Sequence, residues 1–177
     1  MLFLSFIMFL DNNAEIVARE LLGGILVRNI GNNELIARIV ETEAYYGNDD
    51  PASRACKNGD LRKTMEMSAG TILVYGVHNN WMLNFVTGEK GKAEAVLIRA
   101  VEPLNFDSRC NGPGLLTKAL EIDKSFHKRS IIKNKDLRIL RKKECFDIEK
   151  SFRIGVSRDS EKPLRFYIKN NDFVSRK

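Results

Sequence analysis

Ile39-Val40-Glu41-Thr42-Glu43-Ala44-Tyr45-Tyr46-Gly47 decides how this chain is read. Side chains of an extended segment point alternately to its two faces, so Glu41, Glu43 and Tyr45 are expected on one face at the end of an apolar strand. Two carboxylates beside an aromatic ring are costly to bury. Either they sit at a polar strand end, solvated or paired with lysines, or they do chemistry. Ala95-Val96-Leu97-Ile98-Arg99-Ala100-Val101 raises the same question with the opposite sign. Arg99 lies inside an apolar strand, and a buried guanidinium needs an anionic partner that a strand-end glutamate would supply. Besides structural pairing, Arg99 would keep such a carboxylate ionised and aimed, lowering its pKa while it holds a water.

Working outward, Asp11, Asn12 and Asn13 offer N-caps for an amphipathic helix over Ala14 to Leu22, with Ile16, Ala18 and Leu21 or Leu22 on its buried side and Gly23-Gly24 at its end. Ile25 to Val27 and Leu35 to Val40 read as a hairpin around Gly31-Asn32-Asn33. Ile72 to Val77 and Trp81 to Val86 read as a second, around His78-Asn79-Asn80. Residues 47 to 70 lose periodicity and predict a long loop containing a short helix. Ala93 to Val101 is a further strand, Leu115 to Ile122 a helix, and Arg153 to Val156 and Leu164 to Ile168 final strands. The expected fold class is α+β: one domain over residues 1–177, a strand-rich middle, and no internal repeat.

Composition narrows the function classes. Of the 177 residues, 44% are hydrophobic and 29% charged, which fits one core of ordinary size. No apolar run reaches the roughly 18 residues that span a bilayer, so no membrane partner is expected. Met1 to Leu10 lacks a basic start and a small-residue cleavage site, and is read as a first strand or buried arm rather than a secretory signal. Cys56, Cys110 and Cys145 are odd in number and far apart, with only His78 and His127 to assist. Neither a disulfide framework nor a metal site is expected, and a reducing intracellular compartment follows. The net charge of +6 is local: residues 124–143 hold nine Lys or Arg against the single acid Asp136, a balance of +8, which leaves −2 for the rest. Such a segment either tracks a phosphate backbone or is a solvated loop.

Six blocks, in order, resemble the alkyladenine (3-methyladenine) DNA glycosylase family. They are Ala18-Arg19-Glu20-Leu21-Leu22-Gly23-Gly24, Glu41-Thr42-Glu43-Ala44-Tyr45, Asp50-Pro51-Ala52-Ser53, Leu97-Ile98-Arg99-Ala100-Val101-Glu102-Pro103, Cys110-Asn111-Gly112-Pro113-Gly114, and the ending Pro163-Leu164-Arg165-Phe166 with Phe173-Val174-Ser175. The resemblance implies a curved, mostly antiparallel β-sheet packed with helices, and a base-excision repair enzyme that flips a damaged purine out of double-stranded DNA. Hypoxanthine, alkylated purines and etheno purines are the implied substrates. In that pattern Glu43 matches the general base that activates water for attack on C1′, with Glu41 its structural neighbour, and Arg99 supports base and water. Tyr45 and Tyr75 match aromatics on the two faces of the extruded purine, and Asn84 the residue that screens a purine 2-amino group. With no lysine at the nucleophile's position, the resemblance implies an abasic product without strand nicking, no cofactor and no metal. It also implies a monomer working in the cytoplasm or nucleoid, or in the nucleus of a eukaryote.

Two departures from the pattern matter. Arg54 stands where the family has a histidine in the pocket wall. The hairpin Val74-Tyr75-Gly76-Val77-His78-Asn79-Asn80-Trp81 is one residue shorter and lacks the family's wedge tyrosine, leaving Val77 and His78 as candidates for the side chain that fills the gap, with Tyr75 a third under another alignment. Two other functions fit parts of the chain. A glycoside hydrolase would use Glu41 and Glu43 as acid and base, with the chain's single tryptophan as a sugar platform. A non-enzymatic nucleic-acid binding module would use only the basic segment 124–143.

Overall fold

The computed structural model describes residues 9–47, 49–140 and 144–176. Strand β2 (Asn33–Tyr45) organises the rest because it is long enough, at 13 residues, to serve two partners along one edge. Its first half pairs with β1 (Ile25–Ile30) and its last residues with β8 (Arg165–Ile168), while β5 (Ala95–Pro103) runs along its other edge. Beyond β5 lie β4 (Asn80–Val86) and β3 (Ile72–Val77); beyond β1 lies β6 (Leu137–Leu140); and β7 (Ile148–Ser151) pairs with β8. Every pairing among the described residues is antiparallel, and the curled sheet packs with a few helices as one α+β domain.

Directly opposed residues share a face and successive rows alternate. The row Ile72, Phe85, Val96 and Ala44 faces the main hydrophobic core. The next row, Leu73, Asn84, Leu97, Glu43 and Arg165, faces the other way. Helix α1 (Ala14–Leu21) covers the core face. Asn13 caps it, accepting from the Ile16 N–H at 3.0 Å, and the Thr42 hydroxyl donates to the Ala18 carbonyl at 2.8 Å. Its buried stripe is Ala14, Val17, Ala18 and Leu21, so Ile16, expected inside, is 44% exposed. The i, i+3, i+4, i+7 spacing was there to be read, but a helix with apolar residues on more than one side takes its orientation from the sheet.

The second hairpin turns in two residues. His78 (φ +47°) and Asn79 (φ +61°) are both left-handed and Val77 pairs with Asn80, the geometry whose twist matches the strands. Helix α2 (Asp60–Met65) is the short helix expected in the long loop, and α3 (Pro113–Ala119) is shorter than its expected span. Two expectations are corrected. Arg153 to Val156 is not a strand; the strand before β8 is β7, because Arg153 is drawn off the ladder by carboxylates and Gly155 turns back at φ +74°. The basic segment is not simply a loop, since besides contributing β6 it covers the edge of β3. There the Lys128 N–H donates to the Ile72 carbonyl at 2.8 Å and the Ile72 N–H to the Arg129 carbonyl at 2.7 Å. Its charge is partly neutralised in place by the pairs Lys128–Asp60, Arg129–Asp136 and Arg138–Glu34. Arg141, Lys142 and Lys143, and residues 1–8 of the strand or arm expected over Met1 to Leu10, lie outside the described residues; Phe9 and Leu10 are helical and buried.

The first turn of α3 lies against the turn end of the second hairpin, where a Cβ on Gly114 would stand 2.7 Å from Asn80 Cβ. Gly114→Ala is therefore expected to lower stability by about 1–3 kcal/mol, read as a lower urea midpoint at unchanged m-value.

Candidate active site

The register of β2 against β5 shifts twice around Glu41. From Ile39 to Glu41 the extra residue is Val40 on β2; from Glu41 to Thr42 it is Arg99 on β5, between Ala100 and Ile98. A bulged residue is released from strict pairing and re-aims its side chain. Arg99 Nε donates to Glu41 Oε1 at 3.1 Å, its Nη1 lies 3.4 Å from Glu43 Oε1, and Nη1 also donates to the Ile154 carbonyl at 3.3 Å. The side chains of both glutamates are fully buried.

Their surroundings differ. Glu41 accepts from Arg165 Nε at 2.6 Å and from the Ser175 N–H and hydroxyl at 2.7 and 2.9 Å, besides Arg99. Two guanidiniums and a serine saturate it, so it is structural. Glu43 has a lighter set: the Ile154 N–H at 2.8 Å on Oε1, the Tyr45 hydroxyl at 2.8 Å on Oε2, and the more distant Arg99. Burial, the largest influence, pushes the Glu43 pKa up, while Arg99, Ile154 and Tyr45 pull it down without prevailing. The expected lowering by Arg99 is thus outweighed by desolvation, because Arg99 gives its closer contact to Glu41.

Around Glu43 the same sheet face carries the other residues. Asn84 is two strands away in its row, roughly 10 Å across the sheet, with its amide fixed by donation to the Leu73 and Met82 carbonyls at 3.1 and 3.2 Å. Tyr45 and Tyr75 pack with Leu61 against a small cluster of Leu73, Val86, Ala95, Ala55 and Met65, which closes this end of the face. Burial raises the Tyr75 hydroxyl's pKa, against the opposing charge of Arg54. Arg54 follows the Ser53 cap in a 3-10 turn, is itself exposed, and holds its guanidinium 5.5 Å from the Tyr75 ring centroid. Val77 and the exposed His78 stand at the hairpin end, apart from this group; Tyr75 lies on the site face, short of the turn.

Sequence reading missed two parts of this site. Arg153, read from the sequence only as the start of a strand, is buried against Asp50 and Asp159. Arg165 and Ser175 stood within the quoted blocks, but their convergence on Glu41 joins positions 124 and 134 residues away. The glycoside hydrolase loses its platform and its second acid, since Trp81 packs against the main core and Glu41 is saturated.

The model of the methylpurine-DNA glycosylase family matches residues 8–172. The chain belongs to the methylpurine-DNA glycosylase family. It is 40% identical over 176 residues to a protein of Aeropyrum pernix, covering 95% of this chain and 91% of that one. It is 41% identical over 184 residues to one of Borrelia garinii subsp. bavariensis, covering 96% and 98%. It is 42% identical over 179 residues to one of Legionella pneumophila, covering 95% and 96%. All three carry the name 3-methyladenine DNA glycosylase. The chain is thereby a member of a DNA glycosylase family for alkylated bases.

The unequal glutamates predict unequal responses to amidation. Glu41→Gln leaves two buried guanidiniums short of a charge and should cost on the order of 3 kcal/mol of stability. Glu43→Gln removes a desolvated carboxylate and should be near neutral or stabilising at pH 7. Because the folded pKa of Glu43 is raised, stability is lost as pH climbs through it, so the gain from Glu43→Gln should shrink in urea titrations at lower pH.

Proposed function

We propose that this protein is a monofunctional base-excision repair glycosylase, acting as a monomer on double-stranded DNA in a reducing intracellular compartment. A damaged purine is flipped out of the stack into the space beside Tyr45 and Tyr75, where π-faces hold it away from water. Glu43 takes a proton from a water whose oxygen attacks C1′. The glycosidic bond breaks with its electron pair leaving on the purine, and an abasic site remains without strand cleavage. The observation that carries this reading is the buried Glu43 carboxylate with a raised pKa, held by Arg99, the Ile154 N–H and the Tyr45 hydroxyl. A carboxylate so placed is a stronger base than one in water, and its charge favours the oxocarbenium character that develops on the sugar. Asn84 screens purines at the edge of the pocket, and Val77 or His78 fills the vacated stack. The binding-module alternative loses part of its ground, since the basic segment sets Lys128, Arg129 and Arg138 against Asp60, Asp136 and Glu34 and part of its backbone against the β3 edge.

Glu43→Gln should lower single-turnover release of hypoxanthine or an alkylated purine by about 10²–10⁴-fold with duplex binding near that of wild type. Equal loss from Glu41→Gln in a folded protein, with Glu43→Gln active, reverses the assignment. Only ionised Glu43 accepts the water's proton, so wild-type activity should fall on the acid side with a midpoint above the ordinary glutamate value of 4.5.

Arg54 adds a selectivity on this reading. Purines methylated at ring nitrogen 3 or 7 carry positive charge in the nucleoside, and a guanidinium at the rim disfavours them by about 1 kcal/mol after solvent screening. Hypoxanthine is neutral and offers an oxygen acceptor at its 6-position. Arg54→His is expected to shift the hypoxanthine to 7-methylguanine rate ratio several-fold toward 7-methylguanine; an unchanged ratio removes Arg54 from base selection.

A further inference from the structure

Arg153 takes no part in the chemistry just described, yet among the described residues no side chain near Glu43 is more heavily committed. Its side chain has no solvent exposure. Nη1 and Nη2 donate to the two oxygens of Asp50 at 2.7 Å each, Nη1 donates also to the Ala44 carbonyl at 2.9 Å, and Nε donates to Asp159 Oδ1 at 2.7 Å. Its backbone N–H donates to the other oxygen of Asp159 at 2.8 Å. Asp50 is itself fixed, accepting from the N–H groups of Tyr46 and Ala52 at 2.9 and 3.1 Å. Every edge of the guanidinium is therefore tied, which fixes its plane as a single ion pair could not.

Two things depend on that plane. The guanidinium carbon lies 4.5 Å from the Tyr45 ring centroid, so one face of Tyr45 is already occupied and is closed to a base. The next residue along the chain, Ile154, donates its N–H to Glu43 Oε1, while the Tyr45 hydroxyl donates to Oε2. Both oxygens of the carboxylate are thus held through groups that Arg153 anchors, one by its ring contact and one by its backbone. We propose that Arg153 is a positioning residue that sets Tyr45 and Glu43 together, the stacking surface and the base, as one unit. A lysine in its place keeps the charge but has neither a plane for the ring nor a fork for Asp50.

The proposal rests on Glu43 being the base, and its test separates the two. The Tyr45 and Ile154 hydrogen bonds favour ionised Glu43 against the effect of burial, so loosening them raises its titration midpoint further. Wild type, Arg153→Lys and Asp159→Asn, which leaves the Asp50 fork in place, are compared by ¹³C NMR titration of the Glu43 carboxyl, with Glu43→Gln for assignment. The same proteins are assayed for single-turnover purine release across pH and for duplex affinity. Arg153→Lys is expected to raise the Glu43 midpoint and move the acid limb of the rate with it. Its plateau rate should fall by about 10-fold or more, with affinity within about threefold of wild type, and Asp159→Asn should change midpoint and rate less, in the same direction. An unmoved midpoint in folded Arg153→Lys overturns the proposal, as does an unmoved midpoint in Asp159→Asn where Arg153→Lys does not fold. A wild type that releases no purine sinks the glycosylase reading alone, because the NMR midpoint still decides the role of Arg153.

Discussion

Two glutamates on one face of one strand, both without solvent exposure, place a double negative charge where water cannot screen it. Such an arrangement persists only if cations are brought to it and its lone pairs are filled. Much of the molecule follows from meeting that demand. The β5 bulge exists at Arg99, β8 lies beside the end of β2 with Arg165 opposite Glu43, and the chain near its end returns so that Ser175 reaches Glu41. Elements separated by more than a hundred residues are tied to a pair of carboxylates two positions apart.

The two acids do not share this help equally, and the inequality divides their roles. Glu41 takes the short contacts from both arginines and becomes a structural anchor. Glu43 is left with a peptide N–H, a phenol and a longer contact to Arg99, too little to cancel its desolvation. A carboxylate with a raised pKa beside an aromatic wall is suited to proton transfer near neutral pH. The same burial that makes it basic also makes it a liability for the fold, which is the usual relation between a functional group and the stability of its scaffold.

The sheet separates these concerns by alternation. One set of rows builds the main core with α1, and the rows between them carry Glu43, Asn84, Tyr45 and Tyr75 under the cover of α2 and the Arg54 turn. The core thus fixes the site from behind without contributing to its chemistry. Charge on the surface is used in a similarly local way, with basic residues of the 124–143 segment answering nearby acids while its backbone closes a strand edge.

What the sequence alone determined is what depends on short range. Alternation placed Glu41, Glu43 and Tyr45 on one face, turn residues marked both hairpins, and Asn13 marked the start of α1. The blocks that pointed to the family were legible for the same reason, since each is a local run of residue types. Tertiary structure decided what depends on which distant groups arrive. It chose which glutamate is saturated, reversed the expected direction of the Glu43 pKa, exposed Ile16, and drew Arg153 out of a strand and into a clamp. None of these could be read locally, because a buried charge is governed by the sum of its partners and its desolvation, and both are set only when remote segments of the chain close around it.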